Sequence, residues 1–138
     1  MRMSTKGRYG ARAMLDIAMH DDKGPVSLRD LAQRQELSVK YLEQLIKPLK
    51  AAGLIKSVRG AGGGYVLAKE PFDINLLQII EALEKLATSD CLDNPRICGR
   101  VAICATHDVW KEIQNSTTHI LASLTLQDMV EKQRRKLA

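Results

Sequence analysis

The chain has 138 residues, 45% of them hydrophobic and 4% aromatic, and a formal net charge of +5. That length suits one compact domain, or two small lobes sharing a core of Leu, Ile, Val, Ala and Met. No apolar run approaches the roughly 20 residues of a membrane span, and the opening Met1–Lys6 has no apolar stretch of a signal peptide, so a cytoplasmic protein with no membrane partner is expected.

The first helix is predicted over 6–20, with Ala11, Met14, Leu15 and Ala18 on its apolar face and Ser4 or Thr5 as cap. Asp21 to Pro25 is loop chemistry, after which Ser27–Asp30 reads as a capping box that opens a short helix to about Gln35. Ser38 caps a third helix with Leu42, Leu45, Ile46 and Leu49 inside and Gly53 just past its end. Pro48 lies within that helix and predicts a kink or weakening near Lys47. Two short strands, 55–59 and 65–68, flank Gly60–Gly64 and predict a hairpin. A fourth helix is expected over 74–87, then a broken segment from Thr88 to Cys104. A long helix follows over 105–123, with Val109, Ile113, Thr117, Ile120, Leu121 and Leu124 at helical spacing and Trp110 expected in the core. Thr125–Asp128 opens a last helix as a capping box, and the basic tail 132–136 is expected to fray.

Three helices and a hairpin, with a short turn between the second and third helices, is the order of a winged helix-turn-helix. Charge agrees, since residues 1–70 carry 13 Lys and Arg against 7 Asp and Glu, whereas residues 71–138 carry 8 against 9. A basic half suits a polyanion, although a solvated basic surface gives the same counts. On the third helix, Ser38, Lys40 and Tyr41 suit phosphate, as does Lys47 further along. Gln44 can pair with adenine, and Glu43 can accept from a cytosine amine or be a plain surface carboxylate. Arg59 at the hairpin tip suits the minor groove, and Gly60 and Gly62 let the backbone approach its wall. A nucleotide loop fails here, because no Lys-Ser/Thr follows the glycines.

The only cysteines, Cys91, Cys98 and Cys104, fall with His107 in a 17-residue stretch. Thiolates and an imidazole in one loop are the donors a metal or an iron–sulfur cluster takes. Structural zinc uses the same donors, but gaps of six and five residues between the cysteines are wide for it. Inert thiols are the remaining reading, and an odd cysteine count argues against a disulfide framework.

Three motifs in order, Ser4-Thr5-Lys6-Gly7-Arg8-Tyr9, Tyr41-Leu42-Glu43-Gln44-Leu45 and Ser57–Tyr65, resemble the iron–sulfur cluster regulator (IscR) family of bacterial winged-helix transcription factors. The resemblance spans essentially the whole chain. It implies a homodimer formed through the long helix, a two-fold double-stranded operator, and a 2Fe–2S cluster on Cys91, Cys98, Cys104 and His107. The gap between the first two cysteines is one residue longer than the family pattern. Lys6 and Arg8, both in the first of these motifs, are candidate DNA contacts as well. Related cysteine-metabolism regulators lack the triad. Related nitric-oxide sensors hold a 4Fe–4S cluster with an acidic residue near position 8, where this chain has Arg8, which cannot ligate iron.

The expected architecture is therefore mostly α, a winged helix-turn-helix with a β-hairpin wing, a cluster-binding loop and a long C-terminal dimerisation helix. Residues 1–70 would form the DNA-binding domain and residues 71–138 the cluster loop and dimerisation helices. The expected function is regulation of iron–sulfur cluster biogenesis genes by sensing cluster status, not enzymatic catalysis. The alternatives are a 4Fe–4S nitric-oxide or redox sensor and a DNA-binding protein with structural zinc.

Overall fold

The computed structural model describes residues 2–138. Among them, the chain forms seven α-helices and one two-stranded antiparallel sheet. Helix α1 (Thr5–Met19) is capped by Ser4, whose hydroxyl accepts from the Gly7 amide. It packs against α2 (Leu28–Gln35), α3 (Val39–Ala51), α4 (Leu76–Leu83) and α7 (Leu126–Leu137). Encirclement changes its buried face: Ala13, Met14 and Ile17 are fully buried, whereas the expected Ala11 and Leu15 are only partly so.

The hairpin strands are β1 (Ile55–Val58) and β2 (Gly64–Leu67), paired from Ile55–Leu67 to Val58–Gly64. A third segment joins them. Val26, just ahead of α2, exchanges two backbone hydrogen bonds with Tyr65 at 2.8 and 2.9 Å. Gly64 is required there, because a Cβ would collide with the Val26 carbonyl. At the tip, Gly60 and Gly62 take φ of 102° and 76°, the left-handed region that favours glycine.

Several expectations on the elements need correction. Ser27 caps α2 by accepting from the Asp30 amide, but the reciprocal half of the box is absent. Helix α3 runs unbroken through Pro48. Proline removes only a bond to the Gln44 carbonyl, which lies on an exposed part of the helix, and its own carbonyl still accepts from Ala52 at 3.0 Å. The helix closes at Gly53, φ 75°, with Leu54 and Gly53 donating to Leu49 and Lys50.

Helix α4 is shorter than its apolar pattern, because Glu84 turns extended and carries the chain away. Helix α7 is helical to Leu137, so the basic tail does not fray. Buried Leu126 and Val130 hold it on the same core as α1. Each such fully buried aliphatic side chain contributes about 1.5–3 kcal/mol.

The region Thr88 to Cys104 contains a short helix α5 (Asp90–Asp93) and two 3-10 turns, Pro95–Ile97 and Val101–Ile103. Helix α6 (Ala105–Ser123) follows with the expected bounds and packs against α4 and α5. Its outer side is bare: Val109, Trp110 and Ile120 are 46%, 39% and 57% exposed, so Trp110 is not a core residue of this chain.

Candidate nucleic-acid interface and cluster loop

The helix-turn-helix turn is built at Glu36–Ser38. Glu36 has φ 55°, an uncommon conformation for a side chain larger than glycine, and it reverses the chain after α2. The Ser38 hydroxyl then accepts from the Tyr41 amide at 3.1 Å and starts α3, leaving its own O–H free to donate. Lys40, Glu43, Gln44 and Lys47 are exposed along α3, while Leu42, Leu45 and Leu49 are fully buried. Tyr41 is half-buried against the core. Arg59, Gly60 and Gly62 stand exposed at the wing tip, and Lys6 and Arg8 are exposed in the first turns of α1.

A charged network behind this face went unpredicted. Asp16 is 5% exposed, and Arg34 donates to it at 2.7 and 3.0 Å and Gln35 at 2.8 Å. The hydrogen bond to Asp16 raises the Arg34 pKa above its ordinary value, so the guanidinium keeps its charge. His20 closes α1, its Nδ1 2.8 Å from the Asp16 carbonyl oxygen. The available signal was a carboxylate inside an apolar helical stripe, which demands a buried partner.

The four donors of the second half are gathered only in part. His107, in the first turn of α6, places Nδ1 3.2 Å from Cys91 Sγ, and Ser89 Oγ lies 3.0 Å from the same sulfur. Two donors on one tetrahedral metal stand roughly 3.5 Å apart, so this pair fits a shared ion. Cys104 occupies the N-cap position of α6, with Sγ 3.0 Å from the Thr106 hydroxyl. That hydroxyl, and next the His107 amide, hold its thiol below the ordinary range and favour the metal-binding thiolate. Cys98 is half-buried after the first 3-10 turn. Among the described residues, no three His, Cys, Asp or Glu side chains converge as a ready metal site. Three thiols and an imidazole suit an iron–sulfur centre in chemistry, and the Cys91–His107 pair suits it in distance.

Comparison with known proteins decides the lineage. The Rrf2 family model, described as an iron-dependent transcriptional regulator, matches residues 3–132. This chain belongs to the Rrf2 family. The protein rrf2 of Nitratidesulfovibrio vulgaris is 44% identical over 131 residues, 94% of this chain and 87% of that one. The HTH-type transcriptional regulator IscR of Photorhabdus laumondii is 39% identical over 133 residues, 96% of this chain and 81% of that one. Among solved structures, T. potens IscR is similar with TM-score 0.81 and 46% identity, covering 96% of this chain and 88% of that one. CymR, the global cysteine regulator of B. subtilis, also reaches TM-score 0.81, at 40% identity, covering 96% of this chain and 98% of that one.

The resemblance to IscR-type regulators and the winged-helix fold thus stand, and this Rrf2-family protein is a DNA-binding transcription regulator, not an enzyme. Because CymR matches along its whole length, overall shape does not separate the two kinds of regulator. The chemistry of Cys91, Cys98, Cys104 and His107 has to do so. No helix of the described residues is long and apolar enough to cross a membrane.

Proposed function

We propose that this Rrf2-family regulator is a cytoplasmic homodimer that binds a two-fold operator in double-stranded DNA. It would hold a 2Fe–2S cluster on Cys91, Cys98, Cys104 and His107 and control genes of iron–sulfur cluster biogenesis. The observation that carries the cluster reading is the 3.2 Å approach of His107 to Cys91 across the loop. The IscR relatives support it. When bound, the cluster supplies a ligation state that depends on iron and sulfide supply. An imidazole donor must be deprotonated to bind, which makes the site easier to empty than one of four thiolates.

Division of labour follows the chain. Residues 1–70 carry the DNA contacts, and residues 71–138 carry the sensor and the dimer helix. Within the first part, Gln44 and Glu43 read base edges, while Ser38, Lys40, Lys47, Lys6 and Arg8 hold phosphates. Arg59 enters the minor groove, with Gly60 and Gly62 keeping the wing tip thin. Cys104 stands at the N-cap position of α6, so ligation through Cys91, Cys98, Cys104 and His107 would order the segment 91–104 and would change how the two copies space their α3 helices.

Anaerobically purified protein tests the cluster. It should be red-brown, with iron and sulfide at about two each per protomer. About four of each would assign a 4Fe–4S centre instead, and colourless protein with stoichiometric zinc would sink the cluster reading.

A further inference from the structure

Tyr9 on α1 meets Tyr41 in the first turn of α3 edge to face, with ring centroids 6.0 Å apart and planes at 89°. Both side chains are half-buried on the core. The Arg8 and Arg12 guanidinium carbons lie 5.5 and 5.0 Å from the centre of the Tyr9 ring. Arg12 also donates from Nε to Gln35 Oε1 at 3.1 Å and from Nη2 to the Gln35 carbonyl at 2.8 Å. Gln35 in turn donates to Asp16 at 2.8 Å. Helix α1 therefore grips the helix-turn-helix on both sides of its turn. The end of α2 is held through Arg12 and Asp16, and the start of α3 through Tyr9.

The consequence lies in rotation about the α3 axis. Each residue of a helix advances about 100°, so the contact at Tyr41 sets where Glu43 and Gln44 point. A bidentate base contact needs that alignment, whereas a long lysine reaches a phosphate from many rotations. We propose that the Tyr9–Tyr41 pair is a positioning contact that sets the rotation of α3, and so the sequence discrimination of Glu43 and Gln44. In this proposal Tyr41 acts through its ring, in place of the phosphate contact that its hydroxyl would also suit. The proposal rests on the reading of α3 as the helix that reads DNA.

Duplexes enriched by the wild-type protein from a random-sequence library supply a preferred site, and a shuffled duplex of the same composition supplies the reference. Tyr41→Phe keeps the ring and should leave both affinities and their salt dependence within about twofold of wild type. Tyr41→Leu keeps most of the apolar volume without an aromatic edge. Its affinity for the preferred duplex should fall about tenfold and for the shuffled duplex less than about twofold, at unchanged salt slope. Both variants are measured below their own thermal midpoints.

A loss in Tyr41→Phe as large as in Tyr41→Leu would make the hydroxyl a direct contact and overturn the proposal. An equal loss of Tyr41→Leu on both duplexes, or no loss, would overturn it too. A wild-type protein that enriches no sequence would fail earlier, at the DNA reading itself, and would take the role of the pair with it.

Discussion

A Cβ added at Gly10 would fall on Cδ1 of Leu83, so α1 and the end of α4 touch through a residue with no side chain. Alanine in an open helix stabilises by up to about 1 kcal/mol over glycine. Overpacking costs roughly 1–3 kcal/mol, and a flexible Leu83 end absorbs part of it. Gly10→Ala should therefore destabilise by about 1 kcal/mol in urea unfolding, and adding Leu83→Ala should make the alanine at position 10 favourable. An unchanged or higher midpoint in the single variant would show that the contact relaxes freely. Asp16 is a carboxylate on the buried side of α1. Its place among Ala13, Met14 and Ile17 announces a buried charge, but the partners Arg34 and Gln35 lie 18 and 19 positions away and only packing names them.

Helix caps are the most local of these structures. Helices α4 and α7 each start with a capping box, at Asn75–Gln78 and Thr125–Asp128, and the two caps sit side by side in one antiparallel bridge. Leu76 donates to Leu124 at 2.8 Å and Leu126 to Ile74 at 2.7 Å. Asn75→Ala should cost about 1 kcal/mol in denaturant unfolding with the fold intact, and a value near zero would mean water replaces the cap. The Asp128 carboxyl is lowered by the hydrogen bonds from the Thr125 amide and hydroxyl. A carboxyl held below its unfolded value stabilises fully above the ordinary carboxylate range and loses that contribution as pH falls through the lower folded value. The stability gap between wild type and Asp128→Asn should accordingly close on acidification, and a gap constant down to the most acidic pH would remove the ionised box.

Thr125–Asp128 was readable because Thr and Asp stand three apart before an apolar residue. Asn75–Gln78 carries the same signature, but the apolar run through Ile74 hid it. Pro48 misled for the opposite reason. Its cost depends on where in the helix it falls, and the last turn on an exposed face tolerates it.

At the scale of the molecule the unpartnered face of α6 stands out. Val109, Ile113 and Ile120 recur at helical spacing, and the exposed Ile103 and Trp110 flank them. A second copy of α6 is the occupant the homodimer reading expects, because such an interface needs a central apolar strip. Ile120→Glu should convert the dimer to monomer in sedimentation analysis without lowering the melting cooperativity of the chain. Operator affinity should fall at least about a hundredfold when two half-sites no longer bind together. A dimer that survives Ile120→Glu would place the interface elsewhere.

The order of helices, the wing, the exposed basic and amide side chains of α3, and the donor types of the loop are legible in the residues alone. Those features depend on periodicity, caps and turn residues that act within a few positions of one another. Tertiary structure decided which sides of α1 are buried, that Val26 adds a third segment to the wing, and that Tyr9 meets Tyr41. It also brought Cys91 to His107 while leaving Cys98 and Cys104 outside that contact. These outcomes depend on how α6 lies on α4 and α5 and how α1 is enclosed, and such packing joins residues whose separation in the chain carries no local signal.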